Sequence, residues 1–237
     1  MHLLKSLDDC LQWRKAQKQT LGFVPTMGAL HEGHLSLIRL SQNNCDKTIV
    51  SIFVNPTQFA ENEDLDSYPK TLSGDLKKLQ QEKVDAVFMP TANELYKKNQ
   101  HNYWFDTPLS LKLEGKSRPL FFKGVTMIVH KLFKIIKPTH TVFGKKDAQQ
   151  LLIIKEMIKH NDYGIKMIAA PIVRSNGGLA LSSRNSYLNT RETKIAQNIY
   201  LGLLKIKSCL DFGEKDSAAL KNTFVAHIKQ FDEFAID

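Results

Sequence analysis

Short apolar runs that stop at a proline, each followed by a stretch with helical spacing, recur along this chain and restrict its fold more than any other feature. Residues 21–24 run to Pro25, residues 48–54 to Asn55-Pro56, residues 86–89 to Pro90 and residues 165–170 to Pro171. A further run, 141–143, stops at Gly144. Residues 48–54 (TIVSIFV) are nearly all apolar and β-branched, as in a strand buried on both faces of a parallel sheet. Between the runs, spacing predicts helices over about 33–41, 72–83, 125–136 and 147–160. The first 18 residues also predict a helix, with Leu3, Leu4, Leu7, Leu11 and Trp13 on its buried side. Strand alternating with helix is the pattern of a doubly wound parallel sheet, an α/β class. Ligands in such sheets sit beyond the carboxyl ends of the strands, so the punctuated strand ends are where chemistry is expected.

With 237 residues the chain is long enough for one large domain plus a smaller one, and the pattern weakens after Pro171. Apolar residues at 42% and charged residues at 24% exclude wholesale disorder. Cys10, Cys45 and Cys209 are widely spaced and form no C-x-x-C pair, which suits a reducing cytosol better than a disulfide scaffold or zinc ribbon. No apolar stretch reaches a membrane-spanning length, and the amino terminus carries acids rather than a signal-peptide core. The expected location is cytoplasmic, with no membrane partner. The net charge of +9 suits an anionic partner, nucleic acid or a polyphosphate nucleotide. The basic residues include Lys77, Lys78, Lys155 and Lys159, scattered over predicted helices as solvated faces, which disfavours a nucleic-acid module.

The first strand end reads PTMGALHEGHLSL. His31 and His34 flank Gly33 where a helix begins, and a helix amino terminus offers free N–H groups and partial positive charge to a phosphate. Gly28 and Gly33 permit close backbone approach. The alternatives are a surface pair or two metal ligands; the H-E-x-x-H spacing of a metalloprotease is absent. At the second strand end, Asn55 and Gln58 offer neutral amides that donate and accept together. At the fourth, Gly144-Lys145-Lys146-Asp147 places cations before a helix, with Asp147 suited to cap that helix and to accept from ribose hydroxyls. It lacks the Walker A spacing. Finally, Arg174 and the 177–185 segment (GGLALSSRN) combine glycines, hydroxyls and Arg184, the makings of a mobile phosphate-binding loop.

Taken in order, PTMGALHEGH, VNPTQF, LEGKSRP, FGKKDAQQL and GLALSSRN resemble the pantothenate synthetase (pantoate–β-alanine ligase) family, within the nucleotidyltransferases that carry a HIGH-type histidine pair. The resemblance runs from the first strand to about Leu188. It implies a Rossmann-like domain over 1–171 that binds ATP and pantoate, and a smaller C-terminal α+β lid domain over 172–237; family members run further, with strands that complete that domain, and Phe234 to Asp237 stand where one begins. The implied reaction forms pantoyl adenylate from pantoate and ATP, releasing pyrophosphate; β-alanine then displaces AMP. The resemblance places His34, His31, Lys146 and Arg184 in catalysis, with His34, Lys146 and Arg184 as cations. Met27, Gly28, Ala29, Leu30, His31, Glu32, Gly33, His34, Gly144, Lys145, Lys146, Asp147, Val173, Leu181, Ser182, Ser183 and Arg184 lie along ATP. Gln58 and Gln150, with Asn55 and Arg118, hold pantoate, Gln58 also near β-alanine. Mg²⁺ rides on the phosphates with no protein metal ligands, and the enzyme is a homodimer. Three residues depart from the family pattern: Lys145 replaces an acid, Phe121 a histidine after the Arg-Pro of the LEG segment, and Gly177 an aspartate, the last expected to loosen its loop. A transferase carrying AMP to a phosphorylated acceptor is the alternative; it requires an extra cationic pocket, whereas Gln58 and Gln150 are neutral.

Overall fold

The computed structural model describes residues 1–96 and 103–236. The chain divides into two compact units, Met1–Pro171 and Ile172–Asp237.

The first unit is built on six parallel strands: β1 (His2–Leu4), β2 (Leu21–Thr26), β3 (Lys47–Ile52), β4 (Ala86–Phe88), β5 (His140–Gly144) and β6 (Lys166–Ala170). Their spatial order is β1-β4-β3-β2-β5-β6. Helices α1 (Leu7–Ala16), α2 (Glu32–Gln42), α3 (Leu72–Gln81), α4 (Ala92–Leu95), α5 (Glu114–Ser117), α6 (Phe121–Ile136) and α7 (Ala148–His160) connect them. Successive strand residues serve opposite faces, as the pleat requires. Phe23 and Ile49 pack with Val129, Phe133 and Met157 of α6 and α7, while Val24 and Val50 pack with Ile38 of α2 and Leu79 of α3. Both faces are therefore covered, and the sheet is doubly wound as its apolar runs predict.

Two local expectations are corrected. The first residues form β1 before α1 begins, because Ser6 caps α1 in a box with Asp9 and so separates the two elements. The buried residue of α1 is Cys10; Leu3 and Leu11 are exposed. Pro25 does not end β2, which pairs with β3 through Pro25↔Ser51 to Thr26↔Ile52. Proline is tolerated in this central strand because β5 pairs with β2 only at Gly22 and Phe23, so no ladder bond is asked of residue 25 on that side.

The second unit opens with an antiparallel bridge between Arg174 and Ala180, then a 3₁₀ turn (Ser183–Tyr187) and helices α8 (Thr190–Ala196), α9 (Asn198–Asp211) and α10 (Ser217–Ile228). Gly202 lets Phe224 and His227 of α10 approach α9; a Cβ there would lie 2.9 Å from each ring. Among the described residues this unit is helical apart from that bridge. No strand forms over 234–236, and Asp237 lies outside the described residues.

Candidate active site

The order in which strands are added reverses between β2 and β5: the chain passes from β2 outward through β3, and from β5 outward through β6. The two strands part beyond Phe23, leaving a crevice at their carboxyl ends. This is the switch point at which open α/β sheets take ligands. It brings together the turn after β2, with both histidines, and the turn after β5, with Lys145, Lys146 and Asp147.

After β2 the backbone turns through two left-handed residues, Gly28 (φ 85°) and Ala29 (φ 48°). Glycine adopts that region freely; alanine does so at a cost of roughly 1 kcal/mol and must be held. The Gly28 N–H donates to Thr26 Oγ1 (3.3 Å), Ala29 N–H to Asp75 Oδ2 (2.9 Å) and Leu30 N–H to Asp75 Oδ1 (2.7 Å). The Ala29 and Leu30 amides are thus engaged by a side-chain carboxylate.

Helix α2 then starts with His31 as its N-cap. His31 Nδ1 accepts from the Gly33 N–H (3.1 Å), and His34 Nδ1 accepts from the His31 N–H (3.3 Å). Two imidazoles thus do what Ser and Glu do in a capping box. The rings lie 4.1 Å apart. With Nδ1 accepting in each, the proton of the neutral ring sits on Nε2. Burial lowers the His34 pKa to about 3, helped by His31, Lys146 and Lys78. His31 is lowered for the same reasons, burial first, against an opposing pull from Asp147. His34 is therefore a neutral Nε2–H donor and not the cation expected from sequence, because the ring is desolvated among positive charges. The free N–H groups expected at this helix start are also partly engaged, by the histidines themselves. The Glu32 carboxylate pairs with Arg39.

At the second strand end Asn55 is buried, 1% exposed, and caps the 3₁₀ turn Pro56–Gln58. Its Oδ1 accepts from the Tyr96 hydroxyl (2.5 Å) and the Thr57 hydroxyl (3.0 Å); its Nδ2 donates to Gln58 Oε1 (3.1 Å) and the Gly124 carbonyl (3.2 Å). Gln58 is oriented by this chain, its Nε2 donating to Met27 Sδ (3.3 Å), which ties the second strand end to the turn after β2. Gly124 permits the approach: a Cβ on it would stand 2.3 Å from the Thr57 carbonyl oxygen. Arg118 pairs with Glu63 and Glu114, donates to the Gln58 carbonyl (3.2 Å) and stacks on the Phe121 ring (4.0 Å). Phe121, one of the departures, serves as that stacking face. Arg118 braces the Gln58 segment from within the protein.

After β5, Lys145, Lys146 and Asp147 form an exposed 3₁₀ turn leading into α7. Asp147 occupies the N-cap position of α7, but its side chain makes no cap; Oδ1 instead accepts from Lys146 Nζ (3.2 Å). The 3₁₀ turn feeding the helix tips the carboxylate away from the α7 amides, correcting that half of its expected role. Gln149 fixes the first turn of α7 by donating to the Leu109 (2.9 Å) and Lys112 (2.6 Å) carbonyls, and Gln150 beside it is half-buried.

Val173, Leu181, Ser182, Ser183 and Arg184 belong to the second unit. Leu181 N–H donates to the Val173 carbonyl (3.0 Å), so these two are paired across a hairpin. The Ser182 hydroxyl caps the following turn by accepting from the Arg184 N–H (3.3 Å). Both glycines sit close against side chains of their own unit. A Cβ on Gly177 would stand 2.1 Å from the Gln197 side chain, and one on Gly178 (φ 88°) 2.4 Å from the Tyr200 ring. Arg174 stacks on Tyr200 (4.1 Å) and donates to the Gly178 carbonyl (3.1 Å). An aspartate at position 177 would require the flexible end of the Gln197 side chain to shift.

Two residues here, Asp75 and Tyr96, went unread in the sequence, and a third, Lys78, was placed elsewhere. Asp75 had a faint signal, an acid four residues before Leu79 and therefore on the core-facing side of an amphipathic helix. Lys78 was expected on a solvated face, yet its ammonium donates to the Leu30 carbonyl. Lys77, Lys155 and Lys159 are exposed, as expected.

Comparison with known proteins places this arrangement. The profile of the pantoate-beta-alanine ligase family matches residues 2–237. The pantothenate synthetase of Pseudothermotoga lettingae is 44% identical, with 100% of this chain and 85% of that protein covered. That of Thermosipho africanus is 49% identical over 86% of this chain and 74% of its own. Among solved structures, pantothenate synthetase from Thermus thermophilus superposes with a TM-score of 0.93 at 34% identity, covering 99% of this chain and 84% of that one. Pantoate-beta-alanine ligase from Francisella tularensis, complexed with beta-gamma ATP and beta-alanine, gives 0.84 at 37%, covering 96% and 86%. A whole-chain match at these identities, on a sheet whose switch point carries the histidine pair, shows that the chain belongs to the pantoate–β-alanine ligase family.

Proposed function

We propose that this ligase, which joins pantoate to β-alanine with ATP as co-substrate, works through a pantoyl adenylate formed at the switch point between β2 and β5. The observation that carries this reading is the pair of Nδ1-capped histidines at the start of α2, each left with Nε2–H as its donor. In the first step a pantoate carboxylate oxygen bonds to the α-phosphorus of ATP and the bond to the bridging oxygen breaks, so pyrophosphate leaves with that electron pair. Charge grows on the phosphoryl oxygens in flight, and fixed donors stabilise it more than they stabilise the ground state. His34 and His31 supply neutral donors fixed by their caps; Lys146 supplies positive charge from the turn after β5. Gln58 and Gln150 hold pantoate, Asn55 sets the Gln58 amide, and Arg118 steadies the segment. The turns at Met27–His34 and Gly144–Asp147 line the nucleotide. In the second step the β-alanine amine bonds to the pantoyl carbonyl carbon, AMP leaves, and the amine loses a proton. Positioning accounts for most of that step.

Mg²⁺ in this reading arrives with ATP. No group of three His, Cys, Asp or Glu side chains converges among the described residues, and a hard cation bound through phosphate oxygens and water needs none. The 172–237 unit is proposed as the lid domain. A cytoplasmic homodimer completes the proposal. Its location is supported by three free thiols, with Cys10 pushed by burial to about 12 and so unreactive, and no helix among the described residues is long and apolar enough to cross a membrane. Sedimentation tests the dimer. Pantoate-dependent ATP–pyrophosphate exchange without β-alanine tests the intermediate; exchange that ignores pantoate contradicts it.

A further inference from the structure

The turn after β2 is held from a helix to which no function has been given. Consecutive backbone N–H groups in a turn with left-handed residues make a concavity that suits an anion. At Ala29 and Leu30 the anion is the protein's own: Asp75 on α3, 1% exposed, takes both amides, one on each carboxylate oxygen. Thr71 steadies it, its hydroxyl donating to Oδ1 (3.2 Å). One turn further along α3, Lys78 donates to the Leu30 carbonyl. Both backbone groups of Leu30 are thus gripped from α3, its N–H by a carboxylate and its C=O by an ammonium. A larger side chain at Gly28 would be strained, since its Cβ would stand 3.2 Å from Asp75 Oδ2 at a backbone angle that side chains avoid. A non-glycine left-handed residue persists only where its surroundings over-determine it, and Asp75 does that for Ala29.

We infer that Asp75 and Lys78 are positioning residues for the nucleotide: as an acid and a base three residues apart on α3, they preset the Gly28–His31 turn, and with it the two Nε2–H donors, before ATP arrives. Neither touches a reacting atom. Asp75 fills the backbone concavity that a phosphate would otherwise enter, so the phosphates are directed to the imidazoles and to the β5 turn. This inference rests on the reading of the turn after β2 as the nucleotide's seat.

The test is steady-state kinetics of full-length variants, with each substrate varied against the others at saturation. Asp75→Asn turns an acceptor into a donor facing an N–H, and is expected to raise KM for ATP about tenfold or more while KM for pantoate stays within about twofold. Lys78→Met leaves the carboxylate in place and keeps the test alive where Asp75→Asn fails to fold. It is expected to raise KM for ATP about three- to tenfold, with Lys78→Arg, which keeps charge and donor, restoring most of it. A purely structural role would lower thermal stability and leave the ratio of the two KM values unchanged; that result in folded variants overturns the inference. His34→Ala in the same assay separates the two failures. If His34→Ala abolishes adenylation while Asp75 and Lys78 variants keep their KM for ATP, the inference alone falls; if His34→Ala leaves adenylation unchanged, the reading of the seat falls with it.

Discussion

The turns after β2 and β5 face the same crevice and are built in opposite ways. After β2 the backbone is gripped at Ala29, Leu30, His31 and Gly33, and the side chains that remain to act are neutral. After β5 the turn is exposed, its helix has no side-chain cap, and Lys145 and Lys146 stand in solvent beside Asp147. The difference separates two requirements that conflict in one place. Close placement needs burial and hydrogen bonds, which discharge an imidazole; strong charge needs solvent, which loosens placement. A site for phosphoryl transfer needs both, and the fold meets them on two strands.

The largest effect is expected at the gripped turn. His34→Ala should cut pantoate-dependent pyrophosphate release by about 10²-fold or more while pantoate binding changes little. His34→Gln sharpens the comparison, since a Gln at this position can still reach back to the His31 N–H. It should fold and melt like the parent yet lose comparable activity; recovery would show that His34 serves only as a cap. Next come the amides. Gln58→Ala and Gln150→Ala should each weaken pantoate by about 1–3 kcal/mol, because a buried polar partner is left unpaired, with ATP affinity moving much less. Calorimetric titration with each substrate reads this, and equal losses for both would show a general collapse of the site.

A smaller effect is expected at the exposed turn. Lys146→Ala should slow adenylation by about tenfold, and the loss should shrink at high salt, since a solvated charge is screened. An equal loss at all ionic strengths would place Lys146 in a fixed, desolvated contact and break the contrast. The smallest effect concerns pH. An unfolded histidine titrates near 6.5, whereas folded His34 stays neutral to about 3. Below about pH 6.5 the unfolded chain binds a proton that the folded site refuses, so stability should fall as pH drops toward that lower value. In His34→Gln the slope of stability against pH between about 6.5 and 5 should be shallower, measured by urea melts; an unchanged slope would deny the burial effect.

The sheet was legible in the sequence because both its faces are covered, and a strand with two buried faces reads as a nearly continuous apolar run. β1 was not legible, since three residues at a sheet edge leave no period to detect and Leu3 faces solvent. Pro25 misled for a geometric reason: proline marks a strand end only where a ladder bond is required, and β5 has already parted from β2 there. Within the site, the motifs named the histidines, Gln58 and the lysines, because their residue types announce chemistry. What those residues do was set by partners distant in sequence. Asp75 lies 45 residues beyond Leu30, and Arg118 meets Glu63 across 55 residues. The neutrality of His34 is a tertiary fact of the same kind.

The central claim is that the site works with neutral, Nδ1-capped imidazoles placed beside separately held charge. Nitrogen-15 NMR of the histidine side chains in the full-length protein reads it directly. For His34 the account expects an Nε2–H tautomer, with Nδ1 accepting a hydrogen bond and no titration between about pH 8 and 5, in keeping with a pKa lowered to about 3. A His34 resonance that titrates with a midpoint near the ordinary value of about 6.5, or that carries its proton on Nδ1, would contradict it.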